Sequence, residues 1–94
     1  MIHTTTALSA LDCIRRSIST ANQRKLLDAE VTSLKHAVHL LSTAVLDDAM
    51  ALEQVAWLER SLRQDLSGEW PGCKDLRLNA WLDAHALSGY LRNG

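Results

Sequence analysis

Two histidines three residues apart, in Lys35-His36-Ala37-Val38-His39, form the most metal-like pair in the chain. On a helix this spacing puts both imidazoles on one side, where they supply two ligands to a zinc-type ion. A closed site needs more ligands, and Cys13, Cys73, His3 and His85 are distant in sequence, so only the fold can complete one. The same histidines suit a phosphoryl carrier, although no glycine follows them to let a receiver domain come close. The carboxylates are scattered: Asp47-Asp48 reads as a helix cap, and Glu53, Glu59 and Asp65 fall on faces expected to be solvated. A glycine-rich phosphate loop, HExxH, paired CxxC and GxSxG are all absent from the sequence. These residues therefore predict no catalytic centre and no cofactor or metal. A small helical enzyme, or a metal or phosphoryl carrier using His36 and His39, is the alternative of another class.

The elements around the histidines are dictated by a ladder of apolar side chains. Leu27, Val31, Leu34, Val38, Leu41 and Val45 are separated by steps of 4, 3, 4, 3 and 4, which places them on one narrow helical stripe. Taken as a heptad seam, the valines occupy a and the leucines d, the choice that favours two parallel strands. In such a pair Glu30 at g faces Lys35 at e of the other chain. The competing arrangement is an antiparallel bundle. Ala37, Ala44 and Leu40 beside the seam support it, because they make the apolar stripe broader than a two-stranded coil requires. His36 and His39 then fall at f and b, on the outer surface.

The other segments follow the same physics. Ala7, Leu11, Ile14, Ile18 and Ala21 predict a first helix over about 5–21, opened by a threonine cap, with Asp12 in reach of Arg15 and Arg16. A turn near Asn22 leads to the ladder helix over about 24–46. After Val45 the stripe slips by one residue, since strict continuation would bury Asp48 and Glu59. The shifted stripe, Ala51, Val55, Leu58, Leu62 and Leu66, predicts a third helix over about 48–66, capped by Asp47 or Asp48. A continuous helix over 24–66 is the alternative. Gly68, Pro71 and Gly72 mark a loop over 67–73. The last helix spans about 74–88, with Leu78, Trp81, Leu82 and Ala86 as its apolar face, Leu76 and Leu87 flanking it, and Gly89 to end it. No stretch alternates as a strand does. The expected fold is a single all-α domain over 1–94, a small three- to four-helix bundle with a long central amphipathic helix, or a coiled-coil dimer built on that helix.

Composition bounds the partners. The chain has 94 residues, 47% hydrophobic and 22% charged, which argues for a folded globule with a modest core. Ten basic residues against eleven acidic ones leave no general footprint for a phosphate backbone, so nucleic acid is not an expected partner. No apolar run is long enough to cross a membrane, and the N-terminal stretch lacks a charged n-region and an apolar h-region. Two cysteines 60 positions apart suit reduced thiols in a cytoplasmic protein.

The aromatics supply the remaining clue. All four, Trp57, Trp70, Trp81 and Tyr90, lie in the second half, and Trp57 sits off the Val55, Leu58, Leu62 stripe, in line with Met50. Large aromatics either close a core or anchor an interface. Met50, Trp57, Trp70 and Trp81 are accordingly the candidate partner-binding residues. The functional expectation is a non-enzymatic regulator or adaptor, a homodimer, that masks a surface of another protein; a secretion or folding chaperone for a helical client follows from the same evidence. Whatever covers the ladder, Val38→Asp sets a charge in an apolar seam and should cost roughly 3 kcal/mol or more, read as a lowered denaturation midpoint. An unchanged midpoint would remove the seam.

Overall fold

A computed structural model describes residues 3–21, 24–67 and 74–93. Within them the chain forms α1 (Thr4–Ala21), α2 (Asp28–Ala44), α3 (Ala49–Ser61), α4 (Arg63–Ser67) and α5 (Lys74–Asn93), with no strand among the described residues. The protein is an all-α helical bundle. The expected turns at Asn22 and at Gly68, Trp70, Pro71 and Gly72 lie outside the described residues, as does Cys73.

The ladder of α2 packs inside its own chain. Leu34, Val38, Leu41 and Val45 are buried, with Ala37 and Ala44 beside them, and Val31 is half-buried against the same core. α1 supplies Ala7, Ala10, Leu11, Ile14 and Ile18, and α3 supplies Ala51, Val55 and Leu58, with Leu62 following. The radius of gyration, 12.4 Å, is that of a collapsed chain of this length, about 12 Å, so the stripe is covered without help from a second copy. α1 packs on α2 and α5, α5 packs on α1 and α3, and α2 also touches α3 and α4.

Leu27, the first rung of the expected seam, is 64% exposed. The reason is that α2 begins at Asp28, four residues later than the ladder suggests, with Leu27 as an extended N-cap. Glu30 reaches back to accept a hydrogen bond from the Leu27 N–H at 2.8 Å, and Arg24 holds the same carboxylate through two bonds of 2.8 and 3.0 Å. Leu26 turns inward instead. It and Val31 occupy the N′ and N4 positions of a hydrophobic staple, Leu26 within the core and Val31 packed against it. Glu30 is thus committed within the chain, not to a partner's Lys35.

Helix ends elsewhere have equally local causes. Asp48 caps α3 by accepting from the Ala51 N–H at 3.0 Å, which settles the slip after Val45 as a break between two helices. The expected helix over 48–66 is interrupted at the buried Leu62, and its tail forms the short α4. Gly89 does not end α5, which continues to Asn93 because the last turn has partners: Leu91 is buried, and Tyr90 donates its hydroxyl to Asp48 at 2.8 Å.

The largest departure from expectation is the rotation of α5. Its buried face is Arg77, Ala80, Ala84, Leu87, Ser88 and Leu91, while Leu78, Leu82 and Ala86 are exposed and Trp81 is half-buried. The predicted apolar face is turned away from the core by roughly 140°. Three polar ties fix this setting. Arg77 grips Asp65 of α4 with bonds of 2.8, 3.1 and 3.2 Å, Ser61 of α3 donates to Asp83 at 3.2 Å, and Tyr90 binds Asp48.

The Arg24 guanidinium and the Leu27 N–H together hold the Glu30 carboxyl at about 2, down from 4.5. A depressed carboxylate pKa contributes stability that is complete above the unfolded value and disappears as pH falls through the folded one. The difference in melting temperature between the native chain and Glu30→Gln should therefore be full at neutral pH and close between about 4.5 and about 2. A difference that persists at the acid end would contradict the pairing.

Candidate partner-binding surface

Among the described residues seven large apolar side chains are exposed: Leu27, Leu40 and Leu46 singly around α2, and Met50, Trp57, Leu78 and Leu82 on α3 and α5. On α3, Met50 and Trp57 are exposed, Trp57 to 54%. Trp57 lies one turn before Ser61, whose bond to Asp83 faces α5, so the indole sits on the flank of α3 beside that helix. Arg60 places its guanidinium carbon 4.8 Å from the ring centroid, a cation–π contact at the surface. The backbone near Met50 is set by the Asp48 cap. Hydrogen bonds from the Ala51 N–H and then the Tyr90 hydroxyl hold the Asp48 carboxyl below the usual range, and Asp48 in turn raises the Tyr90 hydroxyl.

On α5, Leu78 and Leu82 are 57% and 49% exposed, one turn apart on the outer face. Trp81 packs against the core and stacks on His85, with ring centroids 5.4 Å apart and planes inclined by 7°. Arg15 of α1 donates to His85 Nδ1 at 3.4 Å and pairs with Asp12, whose carboxyl is lowered chiefly by that hydrogen bond. The indole forms one wall of an open groove of about 490 Å³, shared with Asp12, Arg15, Arg16 and Ser19.

Of the expected partner-binding residues, Met50 and Trp57 share the outer flank of α3, Trp81 lies on the α1 side of α5, and Trp70 is outside the described residues. Sequence reasoning missed the exposure of Leu78 and Leu82, which it had assigned to the core. The signal that would have found it is Arg77: on a helix with one buried face, a guanidinium aligned with Ala80, Ala84, Leu87 and Leu91 is visible in the spacing, but only a buried carboxylate makes that face acceptable.

His36 and His39 are both exposed. His36 borders a second groove, about 420 Å³, with Cys13, Ser33 and Leu40 between α1 and α2, and Cys13 is a free, half-buried thiol. Among the described residues no three His, Cys, Asp or Glu side chains cluster as metal ligands, and no buried side-chain polar atom lacks a hydrogen-bond partner. The buried polar groups are satisfied within the bundle: Asp65 of α4 is engaged by Arg77 of α5, and Ser88 donates to the Ala84 carbonyl within α5 at 2.9 Å. No helix of the described residues is long and apolar enough to cross a membrane. Protein-family models, curated proteins and solved structures were each compared with the chain, and none matches it.

Proposed function

We propose that this chain is a non-enzymatic, cytoplasmic helical module that binds another protein and masks part of its surface, as a regulator or adaptor does. The observation that carries this reading is surplus apolar surface on a completed core. The ladder of α2 and the stripes of α1 and α3 are consumed inside the chain, yet Met50, Trp57, Leu78 and Leu82 remain outside it. Burying a leucine is worth about 1.5–3 kcal/mol, so side chains of this size held in water are a reserve of association energy. Tryptophan is the residue type most often found at the energetic centre of an interface. A homodimer of this protein uses the same exposed side chains, because Leu34, Val38, Leu41 and Val45 are already covered within one chain.

A photoreactive amino acid placed in turn at positions 57, 82 and 35 tests the reading in cells of the native source. Lys35 is the control, exposed on α2. Defined protein adducts from position 57 or 82, and none from 35, are the expected result. Failure to crosslink at both apolar positions, in a chain with native circular dichroism, would overturn it.

A further inference from the structure

The outer face of α5 is a continuous stripe. Leu78, Trp81, Leu82, His85, Gly89 and Arg92 recur at i, i+3, i+4, i+7, i+11 and i+14, the spacing of one helical side. It begins apolar and ends cationic. At Gly89 an added Cβ would meet nothing within 4 Å, so a second helix can come close to the backbone there.

One edge of this stripe is basic. α1 runs antiparallel beside it, with Arg15 level with His85 and Ser19 level with Trp81, and Arg92 lies near enough to help lower the Asp12 carboxyl. Three arginines, Arg15, Arg16 and Arg92, thus gather around the Asp12 carboxylate, which Arg15 already engages. Arg16 is exposed and spends only its Nε, on the Asp12 carbonyl at 3.4 Å. On the opposite edge helical spacing places Asp75, Asn79, Ala86 and Asn93, with no basic residue among them.

We propose that this stripe docks an amphipathic helix of a partner protein whose apolar face is bordered along one side by glutamates or aspartates. The inference rests on the protein-binding reading above and adds the face used and the chemistry of what it takes. Leu78, Trp81 and Leu82 meet the partner's apolar side chains, and the Arg16 and Arg92 guanidinium groups meet its carboxylates, a fork-to-carboxylate match that fixes orientation. Basic charge on one edge and none on the other selects one of the two directions in which a helix lies across the stripe. Leucines at the centre of the face offer a phosphate backbone nothing to pair with, which sets nucleic acid apart from a protein helix.

The test uses the full chain and two synthetic helical peptides with the same leucine stripe, one carrying glutamates along a single edge and the other lysines. In an NMR titration the glutamate peptide should shift Leu78, the Trp81 indole, Leu82, Gly89 and residues 15–19, and bind at least about tenfold more tightly than the lysine peptide. Raising salt from about 0.05 to about 0.5 M should weaken it by screening. Arg16→Glu with Arg92→Glu should reverse the preference, and Gly89→Leu should block docking, each with an unchanged circular dichroism spectrum. Equal affinity for both peptides, shifts centred on Trp57, no binding, or saturation of the same residues by inorganic phosphate or an oligonucleotide in place of the peptide would overturn the proposal. Crosslinks in cells from position 57 and none from 82 would also overturn it while leaving the protein-binding reading intact.

Discussion

The buried ion pair between Asp65 and Arg77 is the constraint on which the outer surface depends. Its carboxylate and guanidinium are almost wholly removed from water, with side-chain exposures of 7% and 8%, and each offsets the other's charge there. Placing Arg77 inward decides which residues of α5 follow it: Ala80, Ala84, Leu87 and Leu91 turn to the core, and Leu78 and Leu82 turn to water. Reversing the helix would bury two leucines but expose two others, so the apolar terms nearly cancel. What remains is the cost of separating a buried charge pair, about 3–5 kcal/mol, and it selects the observed rotation. The ties from Ser61 to Asp83 and from Tyr90 to Asp48 hold the rest of α5 in the same setting.

That rotation links the core to the proposed activity. A bundle whose last helix turned all its large side chains inward would carry little for a partner to hold. Here the small residues Ala80 and Ala84 allow α5 to lie close to α1 and α3, while its leucines and the Trp81–His85 stack are presented beside the arginines of α1. Stability and the proposed recognition are thereby drawn from different faces of one helix. Substitutions on the outer face are free to alter binding with little effect on folding.

The sequence was most informative where apolar periodicity was unopposed. The stripes Ala7, Leu11, Ile14, Ile18 and Ala51, Val55, Leu58, Leu62 coincide with buried faces, and so do Leu34, Val38, Leu41 and Val45. The all-α fold was legible from these alone. Boundaries were less so, because Leu27 continues the ladder numerically while Glu30 and Arg24 stop the helix short of it through side-chain bonds that spacing does not reveal. The face of α5 was misjudged for a related reason. Ranking residues by hydrophobicity picks Leu78, Trp81, Leu82 and Ala86, whereas the fold obeys a long-range pairing of Arg77 with a residue on another helix. Within the candidate surface, Trp57 and Met50 were visible as residues off the core stripe, and the basic edge on α1 was not, since it exists only when α1 and α5 are side by side.

The central claim is that α5 is set by its charged and small residues, with its leucines outward. Thermal or urea unfolding of Leu82→Lys beside Ala84→Lys tests it directly. The account predicts that Leu82→Lys stays within about 0.5 kcal/mol of the native chain, as an exposed substitution does, while Ala84→Lys forces an ammonium into the helix interface and costs several kcal/mol, roughly 3 or more. A large loss for Leu82→Lys together with a tolerated Ala84→Lys would mean that the helix is turned the other way, and that its leucines belong to the core.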